Sequence, residues 1–359
     1  DPEYAQVYAR LAGIYFIENR MSNEFFGKNY LDSARYFAEK ALKYDNETSE
    51  ALVVMGDYYR ENGNLEQALK EYNDALKINP NSWEAYRGKA HVYRDDDNLA
   101  FIENALKASD LTRGTERLVI EKDLMTIYSY CGIFDLARSL VGEYLELTGD
   151  TFSYLAGMGV IERLNLDYER SNKYLEEAYR IDTSRSKISS DFSILIFLAE
   201  NYMMMGLYKE SLYYYQKFLT VLETHKEINY NDMHRVGYVF HINGYEKEAK
   251  YYFDLQLEYC NKLINEKRPY AQEYYANYDR AGIYAFRGER EKAFEDLRIV
   301  NQRKSQSLWM VNLIKKDPLF DTIRNEPEFQ QIVKDVETKY QAEHERVRNW
   351  LEDNNMLVK

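Results

Sequence analysis

Apolar residues recur along the chain with the spacing of one helix face, most clearly in residues 49–82, SEALVVMGDYYRENGNLEQALKEYNDALKINPNS. Side chains three and four positions apart lie on the same side of an α-helix. Two such stripes occur here, separated by a polar stretch; they consist of Leu52, Met55 and Tyr59, and of Ala68, Tyr72 and Ala75. The pattern predicts two antiparallel helices that pack through these stripes.

Small residues accompany the stripes at regular positions. Gly56 lies in the first predicted helix, and Ala68 and Ala75 lie in the second, where they permit close approach of the two backbones. Gly63 supplies the turn between the helices, and Pro80 ends the second helix because proline disfavours helix in the residue before it. The segment therefore predicts one complete helix-turn-helix unit.

The same arrangement repeats at a nearly fixed period, which is the signature of a repeat architecture. Units begin near residues 5, 49, 83, 118, 152, 192, 230 and 274. From residue 49 on, the spacing is 34 or 35 residues over the first three intervals and 38 to 44 residues over the later ones. In the unit at residue 83 we expect a second helix about four residues shorter than usual. Overall the pattern predicts an all-α, right-handed superhelix of about eight helix-turn-helix repeats over residues 1–303.

The last segment, residues 304–359, departs from the repeat. It contains two helix starts marked by Pro318 and Pro327, since proline is favoured in the first helical turn. A long charged helix follows over roughly residues 332–353. We predict that these helices cap the apolar end of the last repeat.

Composition narrows the range of functions. Of the 359 residues, 45% are apolar and 30% charged, as expected for a chain with a folded core. The net charge of −13 argues against binding of nucleic acid or of an anionic membrane surface, because both require basic patches. The apolar runs are too short for membrane insertion, and the first residue is Asp1, so we expect a fragment or a processed product.

Motifs for catalysis or cofactor binding are absent from the sequence. It contains no GxxxxGK[ST], GxSxG, HExxH or paired CxxC motif. His234 and His241 are seven residues apart, whereas metal ligands on one helix are usually three or four apart. Cys131 and Cys260 have no nearby partner and are interpreted as buried thiols. We therefore expect no metal, no cofactor and no enzymatic activity.

At each of the positions described above, residues 49–82 resemble the tetratricopeptide-repeat (TPR) consensus, with Leu52 where tryptophan is commonest. The segments DPEYAQVYARLAGIY, MHRVGYVFHINGYEKEAKYYF and DPLFDTIRNEPEFQQIV are also similar to the C-terminal TPR regions of Bacteroidetes-like multidomain signalling and transcriptional regulators. In that group a DNA-binding, cyclase or kinase effector precedes the repeats, often with an intervening membrane helix. The resemblance implies a sensory or regulatory binding module whose effector lies outside this sequence.

Two other functions remain open. A stand-alone TPR adaptor or scaffold, for example in envelope assembly, would need no effector domain. An enzyme built on helical repeats would need reactive groups that converge in a pocket. The compartment is open as well, either cytoplasmic or periplasmic, and the second is favoured if a membrane helix precedes the repeats. Homo-oligomers could form through the edges of the solenoid or through the cap.

The resemblance implies a concave groove, lined by the first helix of each unit, for a protein or peptide partner. The candidate groove residues are Arg87, His91, Arg94, Lys122, Tyr130, Arg163, Glu200, His234, Tyr238, His241, Tyr275 and Tyr278. Arg87, Lys122 and Arg163 suggest an acidic or C-terminal peptide tail, unless these cations pair with neighbouring carboxylates. The carboxylate clamp of chaperone-binding repeats is not supported, because His91 and Asp123 stand where that clamp requires asparagine.

Overall fold

The computed structural model describes residues 4–21, 30–94, 96–182, 188–225, 232–266 and 274–357. These residues form α-helices and one 3-10 helix (Pro318–Phe320). The α-helices are α1 (Ala5–Met21), α2 (Tyr30–Tyr44), α3 (Ser49–Glu61), α4 (Leu65–Ile78), α5 (Trp83–Val92), α6 (Asn98–Leu111), α7 (Thr115–Tyr130), α8 (Phe134–Thr148), α9 (Thr151–Leu164), α10 (Tyr168–Asp182), α11 (Ile188–Met204), α12 (Tyr208–His225), α13 (Met233–Ile242), α14 (Glu246–Asn265), α15 (Tyr275–Phe286), α16 (Arg290–Val300), α17 (Leu308–Lys316) and α18 (Pro327–Asp353). The prediction of an all-α fold of paired helices is confirmed.

The chain divides into two compact units, Asp1–Leu124 and Met125–Lys359. Within each unit, successive helices pack as neighbours, and the first helices of adjacent pairs also contact one another, as α1, α3 and α5 do. This is the packing of a solenoid, in which each pair buries its apolar stripe against the next pair. The predicted division at residue 303 stays a prediction.

The close approach of helices in the first unit depends on Tyr72 of α4. Its fully buried ring lies between Gly56 of α3 and Gly88 of α5, and a Cβ atom at either glycine would overlap the ring. The hydroxyl of Tyr72 donates a hydrogen bond to Asp57 on α3, with an O–O distance of 2.7 Å. One side chain of a second helix therefore fixes the spacing of two first helices.

The second unit repeats this arrangement with different side chains. Leu175 of α10 covers Gly159 of α9, and Phe253 of α14 covers Gly237 of α13, each too closely for a Cβ atom without a shift. Ser171 adds a hydrogen bond of 2.7 Å from its hydroxyl to the carbonyl oxygen of Gly159. Gly159 and Gly237 thus lie where paired helices approach each other closely.

The helix pair that begins at residue 83 differs from the prediction. The sequence predicted that its second helix would be the short one. α6 has 14 residues, as α4 does, and it is the first helix, α5, that is short, with 10 residues. α5 ends before a turn that leads to Asp97, whose carboxylate accepts a hydrogen bond from the backbone N–H of Ala100. This N-cap starts α6 early enough for a helix of full length.

The C-terminal helices do more than cover the last pair. α17 packs against α9, where the side-chain amide of Asn312 donates to the carbonyl oxygen of Leu164 at 2.7 Å. α18 begins at Pro327 and ends at Asp353. Its His344 Nδ1 lies 2.6 Å from the carbonyl oxygen of Cys131, so this nitrogen carries the proton. The segment predicted as a cap therefore extends back to the beginning of the second unit.

Replacement of Gly88 by alanine should destabilise the first unit, because the added methyl group overlaps the Tyr72 ring. We expect a loss of about 1–3 kcal/mol, typical of an overpacked core. Gly142, inside α8, is the matched control, since no other side chain lies within 4 Å of the place that an alanine methyl group would take. There, alanine should leave stability unchanged or raise it by up to about 1 kcal/mol. Thermal unfolding, monitored by circular dichroism, gives the melting temperatures of Gly88→Ala and Gly142→Ala. Equal melting temperatures for these two variants would contradict the proposed role of Tyr72.

Candidate functional site

A groove of about 410 Å³ lies between α1, α3 and α5; we call it the first-unit groove. Its walls are largely apolar and its rim is charged. The lining consists of Ala9, Arg10, Gly13, Phe16, Ile17, Glu50, Val53, Val54, Asp57, Arg60, Ser82, Trp83, Glu84, Arg87, Gly88 and His91. Such a combination of apolar surface with a few convergent polar groups is typical of ligand-binding sites.

Two arginines supply hydrogen-bond donors to this groove. Arg60 pairs with Asp57 at 3.2 Å and with Glu61 at 2.9 Å, while its Nε atom is buried without a hydrogen-bond partner among the described residues. Arg10 is exposed on α1. A buried donor without a partner is costly, and a ligand acceptor placed there would relieve that cost.

Arg87 and His91, on α5, share one carboxylate. Arg87 Nε is 2.6 Å and His91 Nε2 is 3.2 Å from Asp123 Oδ2. Burial lowers the pKa of His91, an effect that the Asp123 carboxylate only partly opposes. Burial alone would raise the pKa of Asp123, but hydrogen bonds and charge from His91 and Arg87 lower it to about 2. Arg87 is therefore already neutralised by a protein carboxylate.

A second cavity, of about 360 Å³, lies in the second unit between α9, α11 and α17; we call it the second-unit cavity. Aromatic and charged side chains dominate its wall. The lining consists of Tyr130, Val160, Arg163, Leu164, Tyr168, Ile196, Phe197, Glu200, Met204, Asp232, Arg235, Trp309, Asn312 and Leu313. The C-terminal segment therefore contributes part of this wall.

A buried network of charges lies beside the second-unit cavity. Glu200 accepts from Arg163 and, at 2.7 Å, from Arg235, and Arg235 also contacts Asp317 at 3.3 Å. Burial raises the pKa of Glu200, but the two guanidinium groups outweigh burial and lower it below its ordinary value. The network joins α9, α11 and α13 to the segment that follows α17, so its members must fold together.

Asp232 is the member of this cluster with the weakest pairing. Its carboxylate lies 3.7 Å from Arg235 Nη1, and a fifth of the side chain is exposed. Burial, and then repulsion from Glu200, raise the pKa of Asp232 to about 7, although Arg235 and Arg163 act in the opposite direction. This carboxyl group therefore changes its charge near neutral pH.

The structure separates the twelve candidate residues into several environments. Arg87 and His91 line the first-unit groove, whereas Tyr130, Arg163 and Glu200 line the second-unit cavity. Arg94 and Lys122 are exposed outside both linings. The other five lie elsewhere in the second unit: His234, Tyr238 and Tyr278 are buried, His241 pairs with Glu246, and Tyr275 contacts Trp309. The three cations of the acidic-tail interpretation are therefore not in one site: Arg87 lines the groove, Arg163 lines the cavity and Lys122 lies outside both linings.

His234 and Tyr278 belong to the core. His234 Nδ1 is 3.5 Å from the side-chain oxygen of Gln256, and burial holds the pKa of His234 well below its ordinary value. The hydroxyl of Tyr278 donates to Asp317 at 3.4 Å. These contacts give both residues a packing role that helix position alone did not reveal.

Sequence reasoning missed Arg10, Arg60, Asp232, Arg235 and Trp309. Arg235 and Asp232 occupy repeat positions that were not assigned to the groove, and Trp309 lies in the segment interpreted only as a cap. The sequence does contain a local pattern that could have indicated the position of Arg60: it follows Asp57 by about one helical turn and precedes the turn at Gly63. No such signal existed for Trp309, because its ring contacts come from α7, from α15 and from the residue just before α15.

The described residues contain no cluster of three or more His, Cys, Asp or Glu side chains arranged to hold a metal ion. Over the same part of the chain, every helix is too short or too polar to cross a membrane. Cys131 and Cys260 are buried, and they form no disulfide among the described residues, in agreement with the prediction of buried thiols.

We expect Asp232→Asn to flatten the dependence of stability on pH. Since the pKa of Asp232 rises from its ordinary value of 3.8 to about 7 on folding, the folded protein binds more protons between these values. This contribution to stability is therefore present at low pH and lost as pH rises towards 7. The change should be on the order of 2 kcal/mol between pH 5 and pH 8.

Chemical denaturation at the two pH values measures this change for the wild type and for Asp232→Asn. Asp135→Asn is the matched control, because the side chain of Asp135 is 99% exposed. Its pH dependence should equal that of the wild type. If Asp232→Asn also matched the wild type, Asp232 would titrate with an ordinary pKa.

Comparisons with known proteins agree with this architecture. Residues 56–95 match the family model described as TPR repeat, and comparison with curated proteins gives no match. A crystal structure of Rap protein complexed with competence and sporulation factor has a similar fold, with a TM-score of 0.60 and 11% identity. The similarity covers 94% of this chain and 99% of that chain.

Two further solved structures are matched at 14% identity and a TM-score of 0.49. One is the APC/C hetero-tetramer Cut9–Hcn1, with 71% of this chain and 52% of that chain covered. The other is a signal transduction ATPase with numerous domains and a tetratricopeptide repeat sensor, from Pyrococcus horikoshii, with 99% and 54% covered. This chain thus spans about half the length of either protein. Residues 56–95 thus match the TPR-repeat model, and the fold as a whole is similar to that of the Rap protein.

Proposed function

We propose that this chain is a binding module that takes an acidic or C-terminal peptide segment of a partner protein in the first-unit groove. The observation that carries the proposal is the buried Nε atom of Arg60, which has no hydrogen-bond partner among the described residues and belongs to the lining of an apolar groove. A carboxylate or a backbone carbonyl group of a peptide would satisfy this donor.

The remainder of the groove suits a peptide. Ile17, which is 55% exposed, and the half-buried ring of Trp83 supply apolar surface, so one or two apolar side chains can be buried. Arg10 lies on the same lining, exposed, where it can pair with an acidic group. Arg87 is paired with Asp123, so its positive charge is largely compensated and attracts an acidic peptide less strongly. Affinity is therefore expected to depend on Arg10 and Arg60 more than on Arg87 or Lys122.

The proposal has a regulatory part. Binding of this peptide to the module would change the activity of an effector domain in a bacterial transcriptional regulator or signalling protein. It is supported by the resemblance of three segments to the C-terminal repeats of such regulators. The Rap protein of similar fold was solved in complex with competence and sporulation factor, so a bound factor is compatible with this fold. The fold likeness itself does not identify the ligand of this chain.

The main alternative is a stand-alone adaptor, which would use the same groove without an effector. An enzyme is a weaker alternative. His234 is fully buried beside Gln256 and Asp279, so substrate cannot reach it without a rearrangement, and burial lowers its pKa. The groove is a simpler explanation of the exposed features.

A library of peptides with free C-terminal carboxylates tests the binding proposal. We expect selection on the purified chain to enrich acidic or C-terminal sequences with an apolar side chain. The charge reversal Arg10→Glu should weaken the selected peptides at least about tenfold, which corresponds to about 1.4 kcal/mol. Fluorescence anisotropy of a labelled peptide measures the dissociation constant.

Lys77→Glu is the matched control, because it changes the net charge equally on a side chain that is 76% exposed outside the groove. Its affinity should stay within about twofold of the wild type, since a distant exposed charge is screened by salt. Equal weakening by both variants would point to non-specific attraction. If the peptides bound Arg10→Glu and Lys77→Glu as tightly as the wild type, the first-unit groove would not be the binding site.

The regulatory proposal has a separate test, in the complete protein from which this sequence comes. We expect an effector domain upstream of residue 1, and we expect its output to change when the selected peptide is added. The output is DNA binding or enzymatic turnover, according to the domain found. A complete protein that lacks such a domain, while peptide binding persists, would favour the adaptor.

A further inference from the structure

The second-unit cavity carries a charge imbalance that the buried network does not resolve. Three carboxyl groups, those of Glu200, Asp232 and Asp317, surround two guanidinium groups, those of Arg163 and Arg235. The guanidinium groups are committed to Glu200 and Asp317 at hydrogen-bond distances. Asp232 is left at 3.7 Å from Arg235, beyond the range of a hydrogen bond.

Asp232 is also the acidic side chain of this cluster that water can reach. Its side chain is 20% exposed, whereas those of Glu200 and Asp317 are 4% and 0% exposed. Since Asp232 lines the cavity, a molecule inside could approach its carboxylate directly. The charge available to a ligand at this wall is therefore negative.

Aromatic side chains belong to the same lining as Asp232. Tyr130, Tyr168 and Trp309 lie on its lining, and Phe197 is already faced by the Arg163 guanidinium at 5.3 Å. Aromatic faces beside a carboxylate form the environment that organic cations prefer, because ring quadrupole and charge both attract them.

We propose that the second-unit cavity binds a primary ammonium group carried on an apolar chain, with the ammonium against Asp232 and the chain among the aromatic rings. A volume of about 360 Å³ accommodates a small organic amine or the side chain of a lysine residue. This site differs in place and in charge from the first-unit groove, so it would add a second ligand to the protein.

An anionic ligand fits this cavity less well. Arg163 donates to Glu200 and Asn201, and Arg235 donates to Glu200 and Asp317. An incoming anion would have to displace the buried carboxylate of Glu200 from two guanidinium groups. Breaking a buried pair in this way leaves an uncompensated charge in the interior, whereas an ammonium group at Asp232 breaks no hydrogen bond.

Ligand binding here would also involve the C-terminal segment. Trp309, Asn312 and Leu313 of α17 form one side of the cavity, and Asn312 holds α17 to α9. A bound amine would therefore contact the repeats and this segment at the same time. Binding should stabilise their association, since a ligand that binds only the folded state raises its stability.

Isothermal titration of the full chain with phenethylamine tests the proposal, and phenylacetate is the anionic control of the same shape. We expect phenethylamine to bind in the millimolar range or tighter, as its small number of heavy atoms allows. Phenylacetate should bind at least about tenfold more weakly. Asp232→Asn should reduce the affinity for phenethylamine about tenfold or more, and Trp309→Ala should reduce it further than Trp309→Phe.

Asp135→Asn is again the matched variant, and it should bind phenethylamine as the wild type does. Thermal unfolding without ligand confirms that each variant is folded. The proposal is overturned by any of three results: unchanged affinity in folded Asp232→Asn, equal or tighter binding of phenylacetate, or no binding of phenethylamine, agmatine and lysine amide up to about 10 mM. The peptide affinity of the first-unit groove should be the same in Asp232→Asn.

The pH dependence of amine binding provides a further check. Asp232 is faced by Arg235 from α13, Glu200 from α11, Arg163 from α9 and the buried hydroxyl of Tyr215 from α12. Since the pKa of Asp232 is raised to about 7, its carboxylate forms between pH 6 and pH 8, where alkyl amines with a pKa of about 10 stay protonated. Affinity should rise over that range in the wild type and stay flat in Asp232→Asn.

Discussion

The close approach of paired helices is the constraint on which this structure depends. In three of the described helix pairs, a large side chain of the second helix presses on a glycine of the first helix: Tyr72 on Gly56, Leu175 on Gly159 and Phe253 on Gly237. Because Tyr72 also reaches Gly88, it sets the distance between two first helices, and with it the width of the first-unit groove. Its hydroxyl holds Asp57, which in turn pairs with Arg60. Core packing and the orientation of a groove side chain are thus one connected arrangement.

The second unit adds an electrostatic constraint. Glu200 holds Arg163 and Arg235, and Arg235 reaches Asp317 in the C-terminal segment. Charges so deeply buried must all be paired, since one charge left alone would cost several kcal/mol. The pairing therefore favours a fold in which the C-terminal segment lies against the repeats. In the same network, Asp232 lies 3.7 Å from Arg235, too far for a hydrogen bond. Its carboxylate is the basis of the cation preference that we propose for the second-unit cavity.

The two sites differ in the side chains that form their walls and in their volume. In the first-unit groove, apolar side chains of α1, α3 and α5 form the wall, and the buried Nε atom of Arg60 has no hydrogen-bond partner among the described residues. In the second-unit cavity, α17 supplies Trp309 as an additional wall, and the volume is smaller. A peptide suits the former, and a small amine or a lysine side chain suits the latter. Together they make a module that could respond to two chemical signals.

The sequence alone determined the helix pairs, because side-chain periodicity, turn glycines and small residues act within one or two helical turns. It correctly placed Gly56, Tyr72 and Pro327 at packing and helix-start positions. It could not show that Arg87 would be held by Asp123, 36 residues away, or that Trp309 would line a cavity with Arg163. Those relations depend on which first helices become neighbours and on how the C-terminal segment returns to them. Only the tertiary structure decides this, because long-range pairing is fixed by the burial of complementary charges and surfaces, which no local pattern records.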